Sequence, residues 1–206
     1  MPTGEPSPNV TWHPSAADAA LRRRCARQRG VTAWMTGLSG AGKSTVAVAA
    51  ERMLLESGHL AFRLDGDNLR HGLNAGLGFD AAGREEAVRR AGEAALLVAE
   101  CGVLAIVGMI SPFRADRARV RARHESAGVP FLEVFVDADL ATAEARDPKG
   151  LYARARKGEI ASFTGVSDPY EPPAAPEVHL RTDRSGAEDC ARALVDAILA
   201  ASACNP

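Results

Sequence analysis

The sequence predicts an α/β fold in which a central parallel sheet of about five strands lies between layers of helices. Short apolar, β-branched runs alternate with longer segments of helical periodicity, an order that favours parallel strands joined by helices. The run at 103–107 is apolar throughout, which is typical of a strand buried on both faces. A glycine-rich stretch follows the first strand. These observations predict a three-layer sandwich with its ligand beyond the carboxyl edge of the sheet.

The strands are predicted from apolar and β-branched runs bounded by turn residues. The first run precedes the glycine-rich stretch, and the fourth runs into an aspartate. The predicted strands cover residues 31–36, 60–64, 103–107, 131–136 and 178–180.

The helices are predicted from apolar residues spaced three and four apart and from signals at their ends. Val46, Ala50 and Leu54 share one face of the first long helix, and Gly102 ends the longest one. A short helix capped by Ser15 is expected to run to about residue 29. The other predicted helices cover residues 45–55, 84–101, 114–126, 140–145 and 187–201.

The length of 206 residues suits one domain that carries a flap. Residues 1–30 are predicted to form an extended arm and a short helix, and residues 31–206 the main domain. Residues 147–176 are rich in proline, glycine and charged side chains. This segment is predicted to be a mobile flap that is too polar for a core.

Composition argues against several classes of protein. The net charge of -1 gives no general attraction to nucleic acid or membranes, so an anion site has to be local. The first nine residues lack the apolar region of a secretory signal, and no apolar run approaches the roughly 20 residues of a membrane helix. The cysteines are too scattered for a disulfide framework or a zinc site, so a cytoplasmic chain is expected; they are Cys25, Cys101, Cys190 and Cys204.

The glycine-rich stretch fits the phosphate-binding pattern G-x-x-x-x-G-K-[ST] and lies between a predicted strand and helix. Its glycines let the main chain wrap around phosphate oxygens, while N–H groups and the helix N-terminus point at the anion. Lys43 supplies positive charge to the β- and γ-phosphates, and the Ser44 hydroxyl can ligate Mg²⁺. The sandwich is therefore predicted to be of the P-loop NTPase type, and its ATP-binding residues to be Gly37, Leu38, Ser39, Gly40, Ala41, Gly42, Lys43, Ser44 and Thr45.

Two aspartates follow the second predicted strand, at the same edge of the sheet as the P-loop. Asp65 and Asp67 flank one glycine, so a single turn can direct both carboxylates into the same space. One can hold a Mg²⁺-bound water while the other accepts the proton of an attacking hydroxyl. The alternative is a structural turn in which Asp67 caps a helix that begins at Asn68.

Other side chains suit an anionic ligand with a flat ring. Arg70 and Arg84 can bind phosphate or sulfate, or can simply lie on a solvated helix face. Phe79 and Phe163 can stack on a ring, or pack a loop. The basic residues of the flap region can neutralise a phosphate in transfer or keep a loop soluble; they are Arg146, Lys149, Arg154, Arg156 and Lys157.

The surroundings of the P-loop favour a small kinase. The chain has no guanine-reading N-K-x-D motif, and no carboxylate follows the third strand, where large ATPases carry one. The acids follow the second strand instead. This placement, the modest length and the basic flap suit a kinase that closes over two substrates.

Together these stretches resemble the adenylyl-sulfate kinase (APS kinase) family over nearly the whole chain, from about residue 12 to 182. The matching stretches are GLSGAGKST at 37–45, DGDNLRHGLN at 65–74, LGF at 77–79, REE at 84–86 with RR at 89–90, ISPFR at 110–114, FVD at 135–137, RDPKGLY at 146–152, GEI at 158–160, FTG at 163–165 and PYE at 169–171.

The resemblance implies transfer of the ATP γ-phosphate to the ribose 3′-hydroxyl of adenosine 5′-phosphosulfate, giving PAPS and ADP in sulfate assimilation. The implied catalytic residues are Asp67, Asp65 and Lys43, with Mg²⁺ as cofactor on Ser44. A direct in-line transfer is favoured over a phosphoenzyme at Ser111. A homodimer and a functional link to an ATP sulfurylase are also implied.

The resemblance also assigns roles around the acceptor. Arg70 and Arg84 would hold the phosphosulfate end, and Phe79 and Phe163 would sandwich the adenine of the acceptor. Ile110 and Ser111 would line the acceptor pocket through their backbone. The flap with Lys149 and Leu151 would close over both nucleotides, and Arg146 would lie by the ATP adenine.

Two departures from the family pattern concern the acceptor. Gly83 stands where the family usually has aspartate, and Ala87 where it has an asparagine that reaches the acceptor. Losing one buried hydrogen bond costs about 1–3 kcal/mol, so weaker acceptor binding is expected. The flap also reads Ala153-Arg154 in place of two lysines. Two alternatives stay open: a related kinase with a shifted, nucleotide-like acceptor, and a non-catalytic nucleotide-binding partner of a sulfurylase.

Overall fold

A computed structural model describes residues 9–11, 13 and 15–203 of the chain. The predicted arm therefore lies mostly outside the described residues, as do Trp12, Pro14 and Cys204. The division of the chain at residue 30 stays a prediction.

Five strands form one parallel sheet, which confirms the predicted fold class. The strands are β1 Val31–Thr36, β2 Ala61–Asp65, β3 Leu104–Gly108, β4 Phe131–Asp137 and β5 Val178–Arg181. Their order across the sheet is β2-β3-β1-β4-β5, so β1 is central. The chain that leaves β1 therefore emerges at the middle of the carboxyl edge.

Helices cover both faces of the sheet because the residues of β1 alternate between two apolar clusters. The helices are α1 Ala19–Ala26, α2 Lys43–Glu56, α3 Gly66–Leu69, α4 Ala81–Glu100, α5 Arg114–Ser126, α6 Leu140–Arg146, α7 Leu151–Arg156 and α8 Ala187–Ser202. Val31, Ala33 and Met35 pack with α2 and α8 on one face. Trp34 packs with α4 and α5 on the other.

Three helices begin at residues other than the predicted ones, and in α1 and α4 a polar side chain that caps the helix sets the start. Asp18, not Ser15, caps α1 by accepting the Leu21 N–H at 2.7 Å. Asp80 caps α4 by accepting the Gly83 N–H at 2.8 Å, so this helix begins at Ala81 rather than at residue 84. The P-loop helix begins at Lys43, two residues before the predicted start.

The expectation that the flap is too polar for a core is wrong for its first half. Tyr152 on α7 is 1 % exposed, and its ring meets that of Phe163 edge-on, with centroids 4.9 Å apart. Ala143 and Ala155 complete this third apolar cluster. The cluster is hard to see in the sequence because its members are single apolar residues among charged ones.

The strand β2 lies at an edge of the sheet, and a side chain covers part of that edge. The Arg63 N–H donates to Glu51 Oε1 of α2 at 2.8 Å. The Arg63 guanidinium also lies 3.6 Å from the same carboxylate. This one outward-facing main-chain donor of the edge strand is therefore satisfied within the molecule.

No helix of the described ranges is long and apolar enough to cross a membrane. Three of the four cysteines are described, and each is a free thiol: Cys25, Cys101 and Cys190.

His124 on α5 is fully buried against the core. Its Nδ1 donates to the Val120 carbonyl at 2.8 Å, which leaves Nε2 without a partner among the described residues. Its ring lies 5.1 Å from that of Phe131, centroid to centroid. Burial lowers the pKa of His124 below its usual value, because a buried imidazolium would lose its hydration.

We expect the free energy of unfolding to fall as the pH drops below about 6.5, the pKa of histidine in an unfolded chain. The unfolded state then binds a proton that the buried His124 does not. Urea unfolding from pH 7.5 to 5.5 measures this slope, and His124→Leu should reduce it. The exposed His71 offers a control, since His71→Gln should keep the slope of the parent chain. An equal slope in His124→Leu would assign the acid sensitivity to other groups.

Candidate active site

The P-loop approaches its neighbours so closely that two of its positions leave no room for a side chain. A Cβ on Gly37 would lie 2.2 Å from the Val136 carbonyl oxygen, and one on Gly40 would lie 2.5 Å from the Ala143 carbonyl oxygen. Gly40 also has a φ of 75°, in the left-handed region that glycine adopts freely. The loop therefore keeps a tight main-chain cradle at the start of α2, where helix N–H groups favour an anion.

Lys43 folds back over this cradle. Its Nζ donates to the carbonyl oxygens of Gly37 at 2.9 Å and Leu38 at 2.8 Å. Burial lowers the pKa of Lys43 to about 8, although the nearby carboxylates of Asp67 and Asp65 favour its charged form. These hydrogen bonds hold the ammonium group close to the position where phosphate oxygens would lie.

Ser44 and Asp65 bring two kinds of oxygen ligand together beside the cradle. The Ser44 hydroxyl donates to Asp65 Oδ2 at 2.8 Å, and Arg63 Nη1 lies 3.1 Å from the same oxygen. Burial alone would raise the pKa of Asp65, but these contacts and the Asp67 N–H outweigh it and lower the pKa. A hydroxyl beside an ionised carboxylate fits Mg²⁺, which prefers oxygen ligands and usually keeps several waters and phosphate oxygens.

The structure corrects the alternative reading of the two aspartates. Asp65, not Asp67, caps the short helix α3, because its Oδ1 accepts the Asp67 N–H at 3.0 Å. The Asp67 carboxylate is exposed and forms an ion pair with Lys149 of the flap. The turn therefore leaves Asp67 available for a ligand while Asp65 is held in place.

Arg84 joins α4 to the flap. Its guanidinium lies 2.9 Å from the Asp168 carboxylate, and it donates to Thr164 Oγ1 at 3.0 Å and to the Ser162 carbonyl at 2.7 Å. These partners hold the turn at 162–168 against the start of the helix. The predicted contact of Arg84 with an anionic ligand stays a prediction.

Arg70 and Phe79 form a second contact near the start of α4. The Arg70 guanidinium carbon lies 3.8 Å from the centre of the Phe79 ring, a cation–π geometry. Phe79 is 64 % exposed, whereas Phe163 is buried in the flap cluster. The predicted sandwich of a ring between the two phenylalanines stays a prediction.

The loop after β3 presents Ile110 and Ser111 at the same edge of the sheet. The Thr36 hydroxyl donates to the Ile110 carbonyl at 2.6 Å, and Trp34 Nε1 donates to Ser111 Oγ at 3.1 Å. Ser111 is buried and has a φ of 38°, which is uncommon for a residue other than glycine. The loop is therefore fixed to β1 in an unusual conformation.

The flap and the segments on either side of it contact the P-loop in ways that sequence reasoning missed. The Tyr152 hydroxyl of the flap donates to the Ser39 carbonyl at 2.9 Å, and Thr182 Oγ1, just after β5, donates to the Ala41 carbonyl at 2.7 Å. Arg146 Nη2 donates to the Thr182 carbonyl at 2.7 Å. Tyr152 lies in a matching stretch and Thr182 at the end of the region of resemblance, which was the available signal.

An open cleft of about 510 Å³ lies between the P-loop and the flap. Leu38 of the P-loop and Leu140 of α6 form one wall, and the flap turn at 165–170 forms the other. Leu151, predicted to contact the acceptor, packs instead at the flap cluster, and its N–H donates to Asp147 Oδ1 at 2.8 Å. Its role in binding stays a prediction.

We expect Gly40→Ala to weaken binding of a non-hydrolysable ATP analogue by roughly 10-fold or more. The new Cβ meets the Ala143 carbonyl oxygen and a strained φ, at a cost of about 1–3 kcal/mol per strained residue. Gly58→Ala is the matched control, because Gly58 has a φ of 85° but open space around it. Calorimetry should find near-parental affinity in Gly58→Ala. Equal affinity in both variants would contradict the cradle.

The region from residue 29 to 181 matches the family model described as Adenylylsulphate kinase. Adenylyl-sulfate kinase of Saccharomyces cerevisiae is 49 % identical over 191 residues, covering 93 % of this chain and 94 % of the relative. The bifunctional enzyme CysN/CysC of Mycobacterium tuberculosis is 53 % identical over 180 residues, which are 87 % of this chain and 29 % of that protein.

A solved structure agrees with these sequence matches. The Mycobacterium tuberculosis APS kinase CysC, in complex with AMPPNP and APS, superposes with a TM-score of 0.80 at 53 % identity. The match covers 82 % of this chain and 98 % of that one. The P-loop, the paired aspartates and the flap thus occur in a chain that belongs to the adenylyl-sulfate kinase family of enzymes.

Proposed function

We propose that this adenylyl-sulfate kinase transfers the γ-phosphate of ATP directly to the 3′-hydroxyl of adenosine 5′-phosphosulfate. The observation that carries the proposal is the pairing of Asp67 with Lys149 across the mouth of the site, beside the P-loop cradle. A carboxylate and a mobile cation thus meet where an acceptor hydroxyl and a γ-phosphate have to meet.

The P-loop binds the triphosphate through its main-chain N–H groups, and Lys43 leaves the loop carbonyls to contact the β- and γ-phosphates. Ser44 would hold Mg²⁺ directly and Asp65 through a water, and the bound ion would neutralise phosphate charge. Asp65 is suited to this role because its hydrogen bonds and Arg63 keep it ionised.

Asp67 accepts the proton of the acceptor hydroxyl as the oxygen attacks the γ-phosphate. The Asp67 carboxylate is exposed and does not cap a helix, so it is able to turn toward the sugar. Lys149 then moves from the carboxylate to the transferring phosphate, where its charge stabilises the transition state. Arg70 and Arg84 hold the phosphosulfate end.

Direct transfer is supported by the environment of Ser111. Its hydroxyl is buried and accepts a hydrogen bond from Trp34 Nε1 at 3.1 Å. Among the described residues, no carboxylate or imidazole forms a hydrogen bond with this hydroxyl. The burial of Ser111 and the lack of such a base support the acceptor hydroxyl as the nucleophile.

A related kinase with a shifted, nucleotide-like acceptor is the second candidate, and it is motivated by Gly83 and Ala87, which replace two polar residues of the family pattern. A Cβ on Gly83 would lie 2.6 Å from the Gly78 carbonyl oxygen, so the family's aspartate does not fit this backbone unchanged. Asn74 is 1 % exposed, and its Oδ1 has no partner among the described residues. Its Nδ2 reaches the Ala87 carbonyl at 3.4 Å.

Incubation with ATP, Mg²⁺ and adenosine 5′-phosphosulfate tests both candidates. ADP together with a 3′-phosphorylated product, identified by mass spectrometry, is the expected result. ADP formed with other nucleotides but not with this one would support the second candidate. No ADP with any acceptor would leave the chain as a nucleotide-binding partner.

A homodimer, a functional link to an ATP sulfurylase and a cytoplasmic location are further proposals. The bifunctional relative supports the link, because the matched region there is part of a much longer chain. Light scattering of the purified protein tests the dimer, and co-purification with a sulfurylase tests the link.

We expect Asp67→Asn to bind an ATP analogue almost as well as the parent chain while turnover falls by about 10²–10⁴-fold. The amide keeps the size of the side chain but does not accept the proton. Asp18→Asn, at the distant N-cap of α1, is the control and should keep turnover. Unchanged turnover in Asp67→Asn would remove this residue from the base role.

We expect Ala87→Asn to tighten acceptor binding by restoring the hydrogen-bonding side chain of the family, an effect of about 5- to 150-fold for a bond of about 1–3 kcal/mol. Ala87→Val adds a larger side chain without a polar group, so it distinguishes the effect of filling the space from the effect of a new hydrogen bond. Equilibrium binding of adenosine 5′-phosphosulfate measures the effect. An unchanged dissociation constant would mean that other groups in this chain already satisfy the acceptor.

A further inference from the structure

Arg117 of α5 is buried with only 2 % of its surface exposed. Arginine is rarely this deep unless its donors are satisfied. Here the guanidinium donates to three different segments: Nε to Glu133 Oε1 at 2.6 Å, Nη1 to the Ser111 carbonyl at 2.6 Å and Nη2 to the Glu171 carbonyl at 2.8 Å. One side chain thus joins β4, the loop after β3 and the end of the flap.

The two main-chain contacts of Arg117 connect segments that also bond to each other. The Glu171 N–H donates to the Pro112 carbonyl at 2.9 Å, and the Arg114 N–H donates to Glu171 Oε2 at 2.7 Å. The far end of the flap is therefore seated on the loop at 110–114. Arg117 lies beneath this junction and holds both sides of it.

The loop needs such support because Ser111 has a φ of 38°, a conformation that persists in residues other than glycine only when the surroundings enforce it. Trp34 holds the Ser111 hydroxyl, and Thr36 holds the Ile110 carbonyl. Arg117 holds the Ser111 carbonyl, and it contributes the charged donor, which makes the stronger kind of hydrogen bond.

We propose that Arg117 is a positioning residue for the acceptor substrate: it sets the backbone of Ile110 and Ser111 and seats the far end of the flap against them. The inference rests on the proposed function and on the role that the family resemblance gives these two residues, which is to line the acceptor pocket. None of the hydrogen bonds that Arg117 makes among the described residues involves the P-loop. Loss of the Arg117 side chain should therefore weaken binding of the acceptor and leave binding of ATP unchanged.

The test uses Arg117→Met together with Glu133→Gln, because removing the arginine alone would leave the partly buried Glu133 carboxylate with only the weaker contact to Arg121, 3.9 Å away. Arg121→Met is the matched control. Arg121 lies one helical turn further on, pairs with Glu177 at 2.8 Å and stacks over Phe131. It shares the Glu133 carboxylate with Arg117 but, among the described residues, makes no hydrogen bond to the loop at 110–114. Both variants lose a packed arginine from the same helix.

We expect the double variant to raise the acceptor KM by about 10- to 100-fold, the scale of a small misplacement of a substrate-contacting group. The affinity for a non-hydrolysable ATP analogue should change by less than about twofold, as is usual for distant, independent sites. Hydrogen exchange should rise in peptides covering 110–113 and 169–173 and stay unchanged in those covering 37–45. Arg121→Met should lower the melting temperature without these changes.

Arg117→Lys provides a second variant if the double one does not fold. Its single ammonium keeps the charge but does not reach all three partners, so the acceptor KM should lie between those of the parent and the double variant. If the parent chain is active, an acceptor KM of the double variant within about twofold of that of Arg121→Met would overturn the inference. A parent chain without turnover would instead refute the proposed function, and unchanged hydrogen exchange at 110–113 would then overturn the inference by itself.

Discussion

The site depends on how closely the main chain of the P-loop approaches the carbonyl oxygens of Val136 and Ala143. Because β1 is the central strand, the loop emerges between the ends of its neighbours and has to turn within their reach. Glycine alone meets both demands at Gly37 and Gly40. The turn then delivers Lys43 and Ser44 to the first residues of α2, and every other polar group of the site is arranged around that point.

The charged groups of the site compensate one another in this structure. Asp67 pairs with Lys149, Arg84 with Asp168, and Asp65 with Ser44 and Arg63. Substrates would therefore exchange partners with these groups rather than neutralise isolated charges, which keeps the cost of taking charges out of water small. Two of these pairs, Asp67 with Lys149 and Arg84 with Asp168, also connect the flap to the rest of the site, so a ligand that displaces them would act on the flap as well.

The sequence predicts those parts of the molecule whose cause is local. Strand β1, helix α2 and the P-loop follow from periodicity and a contiguous motif, and Asp65 and Asp67 follow from their place after β2. The flap cluster of Tyr152 and Phe163 was missed because it depends on residues brought together by the fold. The site roles themselves remain predictions from the family resemblance.

Arg117 shows the same limit most clearly. In the sequence it is one of several arginines on a charged helix, with nothing to distinguish it from Arg119 or Arg121. Its distinction comes from a partner 54 residues further along the chain, at Glu171. Contacts between residues so far apart in the sequence depend on the order of the strands and on the path of the flap. The hydrophobic periodicity of the sequence does not predict either of these.

The hydrogen bond between Arg63 and Glu51 at the outer edge of β2 affects how two copies of the molecule can associate. An open strand edge is a template on which a second chain can extend the sheet, and long arrays of such pairings precipitate. With the Arg63 N–H already held by Glu51, a newcomer strand would have to break a contact before forming one. Self-association along the β2 edge is thereby disfavoured, which leaves the other edge strand, β5, together with helices and loops as surfaces through which copies can join.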